Sequence, residues 1–284
     1  MKETKTVCVV GSGFMGTQIT SQTLLHDFNV NLFDIDSDSL QNAKKFVKGF
    51  LRRKKAIEKL NNLKLIDELP NAVENADLVI EAIPEKLDLK KEVFSQIDKY
   101  APEHTIIATN SSSFPVSRIE DSVERKDKVL NIHFYPPIKV RPMADIMRGT
   151  QTSEKTFEIG KKWIEEIDCA PLVVKKESYG FLFNRLWRAC KKEALEIWAG
   201  GYADIEGIDK AWRIFTGMPT GPFVMMDGIG LDTVYNVEVS YYKETGELRD
   251  KPPEALKQKV EKGELGIKTG RGFYDWKKKH KKHG

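Results

Sequence analysis

Thr6-Val7-Cys8-Val9-Val10 runs straight into Gly11-Ser12-Gly13-Phe14-Met15-Gly16, and the architecture of the first half follows from this junction. A continuous apolar run without alternation is the pattern of a strand buried on both faces of a parallel sheet. The six residues after it spell GxGxxG at the mouth of a helix. Gly11 permits a tight turn, Gly13 lets the backbone approach a pyrophosphate, and Gly16 allows close helix–strand packing. Phe14 and Met15 fill the variable positions of the loop, and the helix start offers free N–H groups and a positive dipole end to phosphates. About 20 residues on, Asp34 closes a second apolar run, Asn29–Phe33, where an acid accepts a hydrogen bond from a ribose 2′-hydroxyl. A 2′-phosphate would face that carboxylate, and Ile35-Asp36-Ser37 bring no arginine to neutralise it. The loop therefore predicts NAD rather than NADP.

Working outward, the same rhythm recurs. Residues 76–80 (ADLVI), 105–109 (TIIAT) and Val129–Phe134 (VLNIHF) read as further strands. Helical stretches separate them, as in residues 88–100, where Leu89, Val93, Phe94 and Ile97 share one face. Strand alternating with helix predicts an α/β fold, a Rossmann-type doubly wound parallel sheet. Residues 37–61 are long for a simple crossover and read as a helical hairpin, crowded by Lys44, Lys45, Lys48, Arg52, Arg53, Lys54 and Lys55. After Val174 the character changes: residues 181–199 read as one long helix, and no strand pattern follows. The expected organisation is a nucleotide-binding domain over residues 1–178 and an all-α C-terminal domain over residues 179–284.

Composition narrows the function. The chain has 284 residues, 40% hydrophobic and 31% charged, enough for about two domains with real cores and incompatible with a disordered or disulfide-stapled class. No apolar run approaches the roughly 18 residues of a membrane span. The start, MKETKTVCVV, lacks the succession of a signal peptide, so a cytoplasmic location is expected. Cys8, Cys169 and Cys190 show no CxxC spacing, which predicts reduced thiols and no metal site. The net charge of +4 suggests nucleic acid until it is located: the terminal KKKHKKHG holds five of the 46 basic side chains, leaving the body near neutral against 42 acidic ones. A solvated, frayed end is the expectation for that tail, with no nucleic-acid or membrane partner.

GSGFMG, EAIPEKLDLKKEVF (81–94), TNSSS (109–113), IHF (132–134), GFLFNRL (180–186), GMPTGPF (217–223) and KGELGIKTGRGFYDW (262–276) follow one another in the chain. In kind and order these motifs resemble the 3-hydroxyacyl-CoA dehydrogenase family over nearly the whole length. The resemblance implies NAD-dependent conversion of an L-3-hydroxyacyl-CoA to a 3-oxoacyl-CoA, or the reverse, as in fatty acid metabolism. It also implies a helical domain that shapes the substrate pocket and forms a homodimer. Trp212, Phe215 and Phe223 are candidates for that interface or for the core.

Read alone, His133 on its apolar strand is a satisfied core histidine; the resemblance places it on the family's catalytic base. Asp145 stands where the family has the Glu that pairs with this His. It is one methylene shorter, so a backbone shift or a water would have to close the gap. Ser112, alone a helix cap, matches the Ser that hydrogen-bonds the reacting oxygen. Asn184 matches the Asn that polarises the substrate carbonyl. Glu85 and Asn110 fall at the nicotinamide end of the cofactor. The family holds CoA with the insertion that here carries Arg52, Arg53, Lys54 and Lys55, whose charges suit CoA phosphates. His133-Phe134-Tyr135-Pro136-Pro137 departs from the usual H-F-F-N-P, Met143-Ala144-Asp145 from Leu-Val-Glu, and Tyr179 replaces a common Pro. These departures suggest altered substrate preference or slower chemistry. The alternatives are a dehydrogenase of a free hydroxy acid, gulonate- or carnitine-like, and a non-catalytic NAD-binding protein.

Overall fold

In the computed structural model, which describes residues 4–279, Thr6–Val10 is strand β1 and Phe14–Leu25 is helix α1. The chain continues through β2 (Asn29–Phe33), α2 (Ser37–Arg53), β3 (Leu63–Ile66), α3 (Leu69–Val73), β4 (Leu78–Glu81) and α4 (Leu87–Tyr100). Then come β5 (Ile106–Thr109), β6 (Val129–Phe134), β7 (Met143–Arg148), α5 (Glu154–Glu166) and β8 (Ala170–Val174). The described strands form one sheet in the order β3-β2-β1-β4-β5-β6-β7-β8. Neighbours pair in parallel except β6 and β7, which are antiparallel.

Strand alternation sorts the side chains into two apolar layers. Val7 and Val9 join Ile19 of α1, Val47 of α2 and Trp163 of α5, whereas Cys8 and Val10 join Ala72 of α3 and Phe94 of α4. Helices therefore cover both faces, as a parallel sheet requires. Along β6 and β7 the same period sends Leu130, Ile132, Phe134, Ala144 and Ile146 into the α5 layer. His133 and Asp145 are left on the opposite face.

Two expectations need correction. Residues 37–61 form the single helix α2 followed by a 3-10 helix, Ile57–Asn62, not a hairpin of two α-helices. The reason is a left-handed stop: Lys55 takes φ 57°, Lys55 N–H donates to Arg52 and Ala56 N–H to Leu51, which satisfies the last carbonyls and turns the chain. The apolar-run reading also omitted β3, β7 and β8.

The chain divides into two compact units between Phe183 and Asn184. The second unit contains α6 (Phe183–Ala199, entered from the first unit), α7 (Ile205–Thr216), α8 (Pro222–Ile229), α9 (Leu231–Thr245) and α10 (Glu254–Glu261). Leu195, Phe223, Met226, Leu231 and Leu256 make its core, so Phe223 is a core residue while Phe215 is 92% exposed. The C-terminal signature docks through two buried aspartates. Asp227 accepts from the N–H groups of Phe273 and Tyr274 and from Trp276 Nε1, and Asp209 from Phe223, Val224 and the Tyr274 hydroxyl. Cys8, Cys169 and Cys190 are free; burial pushes the first two thiols up, Cys169 to about 12, out of the reactive range. Among the described residues no helix is long and apolar enough to cross a membrane, and no three candidate metal ligands cluster. The basic tail, from His280 on, lies outside the described residues.

Candidate active site

The glycine loop between β1 and α1 has the geometry its sequence predicts. Gly11 takes φ +105°, and a Cβ there would sit 2.8 Å from the Ala82 carbonyl oxygen; one at Gly16 would sit 1.8 Å from that of Gly11. Those two glycines serve the fold itself. Gly13 has no atom within 4 Å of a built Cβ and caps α1 without a side-chain hydrogen bond, so the helix start faces open space. Beside it lies a cavity of about 270 Å³ lined by Ser12, Gly13, Phe14, Thr17, Ser39 and Phe46, among others. Phe14 is exposed and Met15 packs partly onto the core. Asp34 follows β2 directly; its carboxylate accepts from Ser12 N–H (2.7 Å), the Ser12 hydroxyl (2.8 Å) and Asp36 N–H (3.1 Å). Three donors leave about one of four acceptor positions for a ribose hydroxyl. The cradle fits a dinucleotide.

Behind the loop, β4 ends in Glu81, which is fully buried. It accepts from Lys90 Nζ (2.7 Å), Ile83 N–H (2.8 Å) and the Thr109 hydroxyl (2.7 Å). Lys90 is also buried, and its ammonium lies 3.1 Å from Glu85. Burial pushes the Glu85 carboxyl up, but Lys90, the Ser111 hydroxyl and Ser113 N–H outweigh it and hold the group below its usual range. Glu85 accepts from that hydroxyl at 2.5 Å and that N–H at 2.8 Å. It thereby fixes the turn that carries Ser112. Asn131 clamps the far side of the turn, accepting from Val116 N–H and donating to the Phe114 carbonyl. Asn110 uses its amide oxygen to accept from Phe134 N–H, beside His133.

His133 stands near the end of β6 and is 4% exposed. Its Nε2 lies 3.0 Å from Ser112 Oγ; Ser112 is not capping a helix. Antiparallel pairing sets Asp145 directly opposite His133, and Nδ1 lies 3.5 Å from Asp145 Oδ2. Asp145 is therefore a fully buried, mid-strand residue. The separation is in ion-pair range but beyond hydrogen-bond length. Neither His133 Nδ1 nor Asp145 Oδ1 makes a hydrogen bond within those limits. The Tyr135 hydroxyl donates to Asp145 Oδ2. Phe181 stacks on the imidazole at 5.0 Å and 8°, and the Tyr135 ring meets it edge-on at 4.7 Å, so the ring cannot turn freely.

The first unit alone thus gathers Ser112, His133 and Asp145, together with Glu85 and Asn110 around the Ser112 turn. Asn184 lies in the first turn of α6, half-buried, on the second unit. Arg52, Arg53, Lys54 and Lys55 are exposed at the end of α2. Of these four, Arg53 borders a cavity of about 110 Å³ with Phe46, Phe50, Ile138 and Lys139. Sequence reading missed Tyr135, Phe181, Glu81 and Lys90. The Phe-to-Tyr change beside the Glu-to-Asp change was the available signal for the first, and nothing local marked Phe181.

Two models of one family cover the chain. That of the 3-hydroxyacyl-CoA dehydrogenase NAD binding domain matches residues 6–178, and that of the C-terminal domain matches residues 180–276. The human hydroxyacyl-coenzyme A dehydrogenase, mitochondrial, is 33% identical over 288 residues, covering 96% of this chain and 91% of the relative. Among solved structures, (S)-3-hydroxybutyryl-CoA dehydrogenase from Ralstonia eutropha is similar with a TM-score of 0.89 and 31% identity, over 96% of this chain and 99% of that one. A diketoreductase described as acting on dicarbonyl compounds has a TM-score of 0.88 and 36% identity over the same shares. Matched along nearly its whole length in this way, the chain belongs to the 3-hydroxyacyl-CoA dehydrogenase family and is an NAD-dependent oxidoreductase.

Proposed function

We propose that the protein interconverts an L-3-hydroxyacyl-CoA and a 3-oxoacyl-CoA with His133 as the proton-transfer residue. The observation that carries this reading is the Ser112 hydroxyl 3.0 Å from Nε2 of an imidazole whose other nitrogen faces a buried carboxylate. That carboxylate accepts only, which assigns the proton of neutral His133 to Nδ1 and leaves the Nε2 lone pair facing Ser112. NAD, which the Gly11–Gly16 loop and Asp34 would hold, would supply the acceptor for the hydride of the substrate carbinol carbon. His133 Nε2 takes the hydroxyl proton, and the imidazolium so formed lies opposite Asp145. Ser112 donates to the reacting oxygen as charge develops on it, a stabilisation of the oxyanion-hole type. Asn184 keeps the role the resemblance gives it, a donor to the substrate carbonyl. Arg53 and Lys139, on the rim of one cavity, are the proposed contacts to CoA phosphate.

The 36% identity to a diketoreductase, with Pro136 and Asp145 departing from the usual pattern, supports a second reading: reduction of a carbonyl compound without CoA. Purified protein with NADH would be offered acetoacetyl-CoA, a longer 3-oxoacyl-CoA, a diketo ester and 3-dehydrogulonate or dehydrocarnitine. NADH oxidation with CoA esters alone supports the first reading, and with free compounds alone the second. Binding of NADH without any turnover would sink both. We extend the proposal to a cytoplasmic homodimer, checked by cell fractionation and by light scattering after size-exclusion chromatography.

A further inference from the structure

Tyr135 follows His133 by two positions on an extended chain, so both side chains stand on the same face. Asp145 faces His133 directly from β7. The histidine is its opposite neighbour, the tyrosine its diagonal one, and both are within reach of a single carboxylate. That carboxylate is fully buried, and its oxygen Oδ2 meets both partners: it accepts from the Tyr135 hydroxyl and lies 3.5 Å from His133 Nδ1. Tyr135 is itself 5% exposed, edge-on to His133 at 4.7 Å and edge-on to Phe183 at 5.4 Å. Its hydroxyl is thus delivered by a packed ring rather than by a mobile chain.

A buried carboxylate without a close donor is costly and reorients to find one. Asp145 Oδ2 stands 3.5 Å from Nδ1, beyond hydrogen-bond length. We propose that Tyr135 is a positioning residue for the reaction: its hydroxyl holds the Asp145 carboxylate aimed at His133 Nδ1, supplying the constraint that a longer glutamate would supply by direct contact. Tyr135 and Asp145 act as one unit, so tyrosine with aspartate and phenylalanine with glutamate are interchangeable pairs while the mixed pairs are defective. This rests on His133 being the proton-transfer residue.

The test compares Y135F, D145E, Y135F/D145E, D145N and Y135F/D145N with wild type, on kcat, KM, NADH affinity and thermal midpoint, using the substrate found above. Y135F should lower kcat about tenfold to a hundredfold and leave KM and NADH affinity unchanged, which a merely structural tyrosine would not do. Y135F/D145E should recover most of that loss, and Y135F/D145N should be no slower than D145N. An unchanged kcat in Y135F, or a further loss of the same size on the D145N background, overturns the proposal. If Y135F does not fold, D145E against Y135F/D145E carries the comparison: the double variant must be the faster, and a D145E enzyme at least as fast refutes the pairing. H133A separates the two levels. A fully active H133A removes the assignment of His133, whereas an inactive H133A beside a fully active Y135F removes the role of Tyr135 alone.

Discussion

Glu81 and Asp145 are both fully buried carboxylates on the same sheet, one at the end of β4 and the other in β7, yet they are solved in opposite ways. Glu81 meets an ammonium, a backbone N–H and a hydroxyl, all within 2.8 Å. Asp145 has the Tyr135 hydroxyl and an imidazole nitrogen at 3.5 Å. A carboxylate saturated by permanent donors is a fixed part of the scaffold, and Glu81 ties together the ends of β4 and β5 through Ile83 N–H and the Thr109 hydroxyl. One left facing an imidazole beyond hydrogen-bond length is placed to respond to the proton transfer proposed for His133. The parallel strands build the first environment, and the single antiparallel pairing builds the second.

The contrast can be broken most forcefully at Lys90. Lys90→Met leaves Glu81 buried without its cation and should cost about 3–5 kcal/mol, read from urea unfolding of the cofactor-free protein. Lys90→Met/Glu81→Gln should regain part of it, and a loss in the single variant below about 1 kcal/mol would show that Glu81 is not scaffold. Away from both carboxylates, Arg53→Glu should raise KM for CoA esters about fivefold to tenfold, the equivalent of about 1 kcal/mol, with kcat unchanged. An unaltered KM would remove Arg53 from the CoA site. The smallest effect is expected at Glu85, whose carboxyl is held below its usual range by Lys90 against the upward push of burial. A lowered folded pKa contributes stability above the ordinary Glu value of about 4.3, lost as pH falls through the folded value. Glu85→Gln in the cofactor-free protein should therefore lower stability at pH 7 by no more than about 1 kcal/mol, because the group is partly exposed. The difference should shrink as pH falls from about 4 through the lowered folded value; one that did not change with acidification would assign it to packing instead of charge.

These contrasts also mark what the sequence could disclose. The strands β1, β2 and β6 were legible because they are apolar runs packed on both faces. β3 (LKLI) is a short, half-exposed edge strand, β7 (MADIMR) carries the site's own aspartate and an arginine, and β8 (APLVV) is an edge strand whose second residue is proline. Apolar continuity fails wherever a strand meets solvent or chemistry. Gly11, Gly13, Gly16 and Asp34 could be read because loop, helix and acid lie close together along the chain. Ser112, His133 and Asp145 came from resemblance, since strand register, not spacing, brings them together. The same register conceals Tyr135, and the stop at Lys55 conceals where α2 ends, because a lysine with φ 57° has no sequence signature.

The sharpest trial of the account is a rapid-mixing experiment on His133→Ala with NAD and an L-3-hydroxyacyl-CoA, following NADH formed in the first turnover while NADH affinity is titrated separately. The account predicts a rate about 10²–10⁴-fold below wild type with affinity unchanged. A first turnover at the wild-type rate would contradict it, because the proton would then have left by a path that does not need this imidazole.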